Sequence, residues 1–343
     1  MTRLQHKTAR RAVHVGLSLT LVVVLLAFAM PKVTGAGWGA ILDLLRLLTA
    51  RQVLLLLGLW LLGLYAHTFL ATAALPDLTH RQALQLNLSG SAVSNLVPFG
   101  GALGMGLNYA MVRSWGHGPG SFAPFTALTT LWNVLIKLAL PVVALGLLLG
   151  AGGLPTPGLA LAALIAAGSL LVVVLVVITA LASGRAASLL GRCCQVVGTA
   201  ALRLARSQRQ LSSEQAVLDL RHRMTSLLRR RWHRMLFGMT TYAVLQATLL
   251  WLILHMLGSS LDLVYVFAGF SFGRLLTLLV VTPGGVGIAE TGSAALLVAL
   301  GGDAAVVAAG TLLFSAITFA LEIPVGGVCG LLWWRRSTRT SPA

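Results

Sequence analysis

Thr282-Pro283-Gly284-Gly285-Val286-Gly287-Ile288-Ala289-Glu290 stands inside an apolar run where a membrane helix would otherwise continue. Pro283 has no N–H to donate, and the three glycines that follow disfavour helix. Hydrocarbon tolerates a broken backbone only where protein buries it or where it lines a wet cavity. A second break, Asn95-Leu96-Val97-Pro98-Phe99-Gly100-Gly101-Ala102-Leu103-Gly104, lies in the first half of the chain. Paired interruptions in the two halves of a membrane chain point to a transporter's substrate site.

The surrounding composition supports that setting. Of 343 residues, 57% are hydrophobic and 10% charged, and several runs exceed the ~20 apolar residues that span a bilayer. Alternating strand-length segments are missing, which argues against an outer-membrane barrel. A net charge of +17 would suggest nucleic acid in a soluble protein. Here most Lys and Arg sit between apolar runs, where they orient the chain. Cys193, Cys194 and Cys329 have no zinc or disulfide spacing.

Full crossings are expected near 13–30, 52–75, 121–150, 157–182, 235–258 and 305–334, with an interfacial helix near 38–50. The first run is read as a retained helix, since no clear cleavage site follows it. Residues 81–113 and 262–302 have limbs too short, or too polar, to cross alone, and read as re-entrant hairpins around the two breaks. The stretch 184–234 holds eleven Arg against Glu214 and Asp219. Its Val217, Leu218, Leu220, Met224, Leu227 and Leu228 pattern suggests an amphipathic surface helix. Arg3, Lys7, Arg10 and Arg11, the 184–234 stretch, and Arg335, Arg336 and Arg339 all belong on the cytoplasmic side.

The expected fold is therefore all-α and polytopic: six transmembrane helices plus two re-entrant helical hairpins in one integral domain. The first repeat runs over about 52–150, and the second over about 235–334. Pro141 follows Pro98 by 43 residues and Pro324 follows Pro283 by 41. His67 and His255 precede the breaks at similar distances. With this topology the halves run in opposite directions, as in inverted-repeat transporters. The first hairpin then enters from the cytoplasm and the second from outside.

Charges inside apolar spans are costly, so they face a partner or a cavity. Lys137 and Glu322 lie on corresponding elements of the two halves; they form either a structural ion pair or a shared cavity lining. Arg274 sits on the limb entering the second break, and its planar fork suits an anionic group. Arg81 and Arg113 flank the first hairpin and read as snorkelling residues. Glu290 has two readings: complement to a helix dipole, or a coupling or headgroup contact. Asn95, Asn108 and Asn133 add polar lining. Gly100, Gly101, Gly284, Gly285 and Gly287 permit close backbone approach, and half-helices starting after the breaks aim N–H groups at an anion. His67 and His255 read as packing residues. Metalloprotease, Walker A and nucleophile-elbow patterns are not present, and no cofactor is expected.

The pattern Asn95-x-x-Pro98-x-Gly100-Gly101, with Pro283-Gly284-Gly285-Val286-Gly287-x-x-Glu290, resembles the lysylphosphatidylglycerol synthase transmembrane-region family. The resemblance covers nearly the whole chain. It implies a flippase-like membrane domain and carries Asn95, Pro98, Gly100, Gly101, Pro283, Gly284, Gly285, Gly287 and Glu290 as motif positions. In that family a separate cytosolic domain performs aminoacyl transfer. The sequence given ends before any such domain, so aminoacyl transfer is not expected.

The function expected is translocation of an anionic or aminoacylated phospholipid, or a lipid-linked headgroup, in a bacterial inner membrane with both termini cytoplasmic. The alternatives are an integral transferase using Glu290 and Glu322 on lipid-linked substrates, or a scaffold for a soluble lipid-modifying enzyme. The partners expected are membrane lipids. A second copy of the chain and a soluble enzyme are further candidates, and nucleic acid is not expected.

Overall fold

The computed structural model describes residues 34–96, 100–152, 157–182, 214–279 and 285–339, together with Lys32. The expected first span, Pro98, Pro283 and Gly284 lie outside the described residues. Within them the chain forms α1 (Trp38–Arg46), α2 (Ala50–Ala74), α3 (His80–Leu96), α4 (Gly101–Ser114), α5 (Pro119–Gly150), α6 (Pro157–Ala182), α7 (Glu214–Met256), α8 (Leu263–Leu276), α9 (Ile288–Ala299), α10 (Ala304–Ser315), a π-helical turn at Ala316–Ala320, and α11 (Glu322–Arg339).

Local chemistry sets several helix starts. Thr49 and Gln52 form a reciprocal capping box ahead of α2, and Thr79 with Gln82 does the same ahead of α3. Pro119 opens α5, where its missing N–H costs nothing. The Asp303 carboxylate accepts from the Ala305 and Val306 N–H groups to cap α10.

Among the described residues, five segments are long and apolar enough to cross a membrane: Ala50–Ala74, Pro119–Gly150, Ala160–Thr179, Asp219–Met256 and Ala304–Ser337. These correspond to the five later crossings expected from sequence. The helices flanking the breaks are shorter. With 17 and 14 residues in α3 and α4, and 14 and 12 in α8 and α9, none reaches a hydrocarbon thickness of ~30 Å at ~1.5 Å per residue.

At the centre α2 packs along α7. A Cβ on Gly238 would lie 2.9 Å from the Leu70 nitrogen, so these two helices meet backbone to backbone. Leu56, Trp60, Leu64, Leu250, Ile253 and Leu254 continue the contact into the main core. The α3–α4 hairpin packs on α11, and the α8–α9 hairpin packs on α5. Gly326 of α11 sits so close to the Leu88 carbonyl of α3 that no side chain fits there. Gln85 locks the same contact by donating to the Cys329 carbonyl at 2.9 Å. Helix α6 covers α5 and turns Leu161, Leu164, Ile165, Leu171 and Val172 outward, the apolar face expected against lipid.

One boundary differs from the sequence reading. An amphipathic helix near 217–228 and a span starting near 235 are a single helix, α7, of 43 residues. Residues 229–234, Arg-Arg-Arg-Trp-His-Arg, hold no Gly or Pro to end a helix. Met224, Leu227 and Leu228 pack against a second core cluster around Leu70, Met111, Phe125 and Leu128. Arg223 and Arg231 reach across to the Gly120 and Thr72 carbonyls at 3.2 and 3.4 Å.

Candidate functional site

A π turn lies just ahead of Pro324. The proline ring supplies no N–H for the Ala320 carbonyl, and the ladder ahead of it widens to the wider register in which Leu321 N–H donates to the Ala316 carbonyl at 2.9 Å. This turn brings Thr318, Phe319 and then Glu322 to one side. Opposite them stand α3 and α5. Asn87, Ser91 and Asn95 recur every four residues and so share one face of α3; Asn133 and Lys137 share one face of α5 in the same way. Tyr242 on α7 and Phe270 and Arg274 on α8 complete the wall.

These residues line one polar cavity of about 300 Å³. Lys137, Arg274, Glu322, Asn95 and Asn133, chosen separately from sequence, are brought together in it. Its charged groups are two cations and one acid. The Arg274 guanidinium carbon lies 5.4 Å from the Phe270 ring centroid and 6.0 Å from that of Tyr242. These are cation–π distances that hold the fork without neutralising it. Among the described residues neither Lys137 nor Arg274 forms an ion pair within 4.0 Å, so Lys137 and Glu322 share a lining and not a salt bridge. The Glu322 side chain is 8% exposed, with Ser91, Trp60 and Arg274 as its polar surroundings. Asn133 donates its amide N–H to the Thr129 carbonyl at 2.8 Å.

The second break builds a different arrangement. Gly285 and Gly287 have φ of +77° and +88°, which L side chains rarely adopt. A Cβ on Gly285 would also lie 2.9 Å from the Thr277 Cα. Glu290 reaches back to accept from the Gly287 N–H and takes a second hydrogen bond from the Ser315 hydroxyl at 2.6 Å. The N-terminus of α9 therefore already holds a carboxylate, and both oxygens of Glu290 are engaged. Ser293 ties the hairpin limbs by donating to the Gly269 carbonyl at 2.9 Å. Glu290 and Arg274 border a separate pocket of about 90 Å³. Gly101 lines a third, of about 210 Å³, while Gly100 is the buried N-cap of α4.

His67 packs edge-on against the Tyr242 ring, with centroids 5.0 Å apart, as expected of a packing residue, and it also borders both larger cavities with a buried Nδ1 that has no partner among the described residues. His255 is a packing residue: it stacks on Trp251 at 5.3 Å. Asn87, Ser91 and Tyr242 were not singled out as site residues. The four-residue recurrence of Asn87, Ser91 and Asn95 was the available signal. Tyr242 is one of only four tyrosines and lies in an apolar span.

These features define a polytopic all-α membrane protein with a cavity lined by charged residues. The family model of the lysylphosphatidylglycerol synthase TM region matches residues 15–326, and the chain belongs to that family. The match is to a membrane region and not to an aminoacyl-transfer domain, so no catalytic role is assigned to those residues. Among the described residues no group of three His, Cys, Asp or Glu is placed to hold a metal ion. Among curated proteins, none matches the chain. Family and fold together support a transport-related role with membrane lipids as partners.

Proposed function

We propose that the protein is a lipid flippase that passes an anionic headgroup through the Lys137–Arg274–Glu322 cavity near the bilayer midplane while the acyl chains stay in lipid. One observation carries this reading: two cations that form no ion pair within 4.0 Å among the described residues share a cavity of about 300 Å³ with a single acid. Isolated cations at bilayer depth are expensive, and a phosphate that arrives with the substrate offsets that cost. The volume is at the low end of small-molecule sites and suits a headgroup rather than a whole lipid.

The packing supports an inverted repeat with two re-entrant hairpins. Each half supplies a long helix, α2 or α7, and the two lie against each other. Each hairpin packs on the last long element of the other half, α3–α4 on α11 and α8–α9 on α5. A two-fold pseudo-symmetry produces such an exchange, and alternating access then amounts to rocking one half against the other. The motif glycines Gly285 and Gly287 serve as the turn of the second hairpin, and Glu290 as its brace.

Reconstitution in liposomes with a fluorescent anionic phospholipid in one leaflet tests the reading. Wild type is expected to speed leaflet exchange, and Arg274→Ala and Lys137→Met to lower it about tenfold or more, the loss of one charge-assisted contact. Wild-type rates in both variants overturn it.

A further inference from the structure

Beside the charged cavity lies a neutral one of about 210 Å³, between the α3–α4 hairpin and α5. Asn87, Ser94, Asn108, Thr126 and Asn133 contribute amides and hydroxyls to it, and Lys, Arg, Asp and Glu are not among its lining residues. His67, Asn87 and Asn133 border both cavities, so the two are neighbours across a shared wall. Three buried polar atoms here have no hydrogen-bond partner: Asn108 Oδ1, Thr126 Oγ1 and His67 Nδ1. Buried polar atoms are otherwise nearly always paired. The Phe122 and Phe125 rings, with centroids 6.0 Å apart, add an apolar face.

Resting on the flippase reading, we infer that this chamber receives the uncharged, polyhydroxylated part of the headgroup while Lys137 and Arg274 hold the phosphate that links it to the lipid. The donor set decides the class. Amides and hydroxyls both donate and accept, and so can meet the mixed demands of several adjacent ligand hydroxyls. The rings give the C–H face of a sugar or cyclitol an apolar surface. A cationic headgroup group would find no carboxylate in this chamber, and a buried unpaired charge is strongly disfavoured. The substrate class is therefore a phospholipid or lipid phosphate carrying a polyol or sugar, and not one carrying an ammonium group.

Three probes with identical tails test this in proteoliposomes: phosphatidylinositol, phosphatidic acid and phosphatidylethanolamine. Wild type is expected to exchange phosphatidylinositol about tenfold faster than either other lipid. In Asn108→Ala and Thr126→Val the ratio of phosphatidylinositol to phosphatidic acid rates is expected to fall toward one. Native mass spectrometry of the same variants reads retained lipid, so that a misfolded variant is told from an altered preference. Equal rates for all three lipids in wild type, or a faster phosphatidylethanolamine rate, overturn the polyol assignment. If Arg274→Ala still abolishes exchange in that case, the anionic flippase reading survives. If no lipid moves in wild type, both readings fall.

Discussion

The Ser315 hydroxyl donates to the Glu290 carboxylate at 2.6 Å and ties the start of α9 to the end of α10. The other carboxylate oxygen accepts from the Gly287 N–H. Glu290 is thus a brace within the second motif, holding a left-handed glycine turn against the helix that leads to the π turn.

Removing either side of this brace is expected to lower stability. Ser315→Ala leaves a carboxylate oxygen short of its donor, and Glu290→Ala also uncaps α9; each costs about 1–3 kcal/mol. Thermal unfolding in detergent measures both. A double variant no less stable than Glu290→Ala alone shows the two acting as one unit.

Lys137→Met is expected to move stability and transport in opposite directions. It removes a cation that has no ion pair among the described residues, so the unfolding temperature should hold or rise, while leaflet exchange falls. A structural ion pair predicts the reverse: a lower unfolding temperature with transport intact.

Gly326 and Gly327 form a matched pair for mutagenesis. A Cβ on Gly326 collides with the Leu88 carbonyl, whereas one on Gly327 meets nothing within 4 Å. Gly326→Ala is expected to cost about 3 kcal/mol or more by forcing α11 away from α3. Gly327→Ala should be neutral or stabilising by up to about 1 kcal/mol, the helix preference for Ala over Gly. Unfolding curves of the two variants give the comparison.

The proposed inverted repeat predicts opposite accessibility for the loops at His117 and Ser260. Single cysteines placed at 117 and 260 are expected to label from opposite sides of sealed vesicles. Labelling from one side rules out the inverted arrangement.

The long apolar helices were legible in the sequence because length and hydropathy alone determine a bilayer span; α2, α5 and α6 follow the expected limits within a few residues. The start of α7 was not, because an arginine cluster reads as a boundary by charge although its residues favour helix. At the site, Lys137, Arg274 and Glu322 stood out as charges in apolar segments. Their convergence depends on long-range packing, such as α8 on α5, that no local pattern carries. The cavities beside His67 are hidden from the sequence for a similar reason, although its packing on Tyr242 is as expected. A lone polar residue in a helix shows that it needs surroundings, but not whether those are a neighbouring ring or a cavity.

The five-residue π turn before Glu322 makes the direction of that carboxylate a matter of counting. In an α-helix each residue turns the chain by about 100°. Were Ala316–Ala320 to rewind into the ordinary ladder with all five residues kept, Glu322 would swing through about that angle, away from Lys137 and Arg274. Its present address is written in the number of residues ahead of it as much as in the groups that surround it.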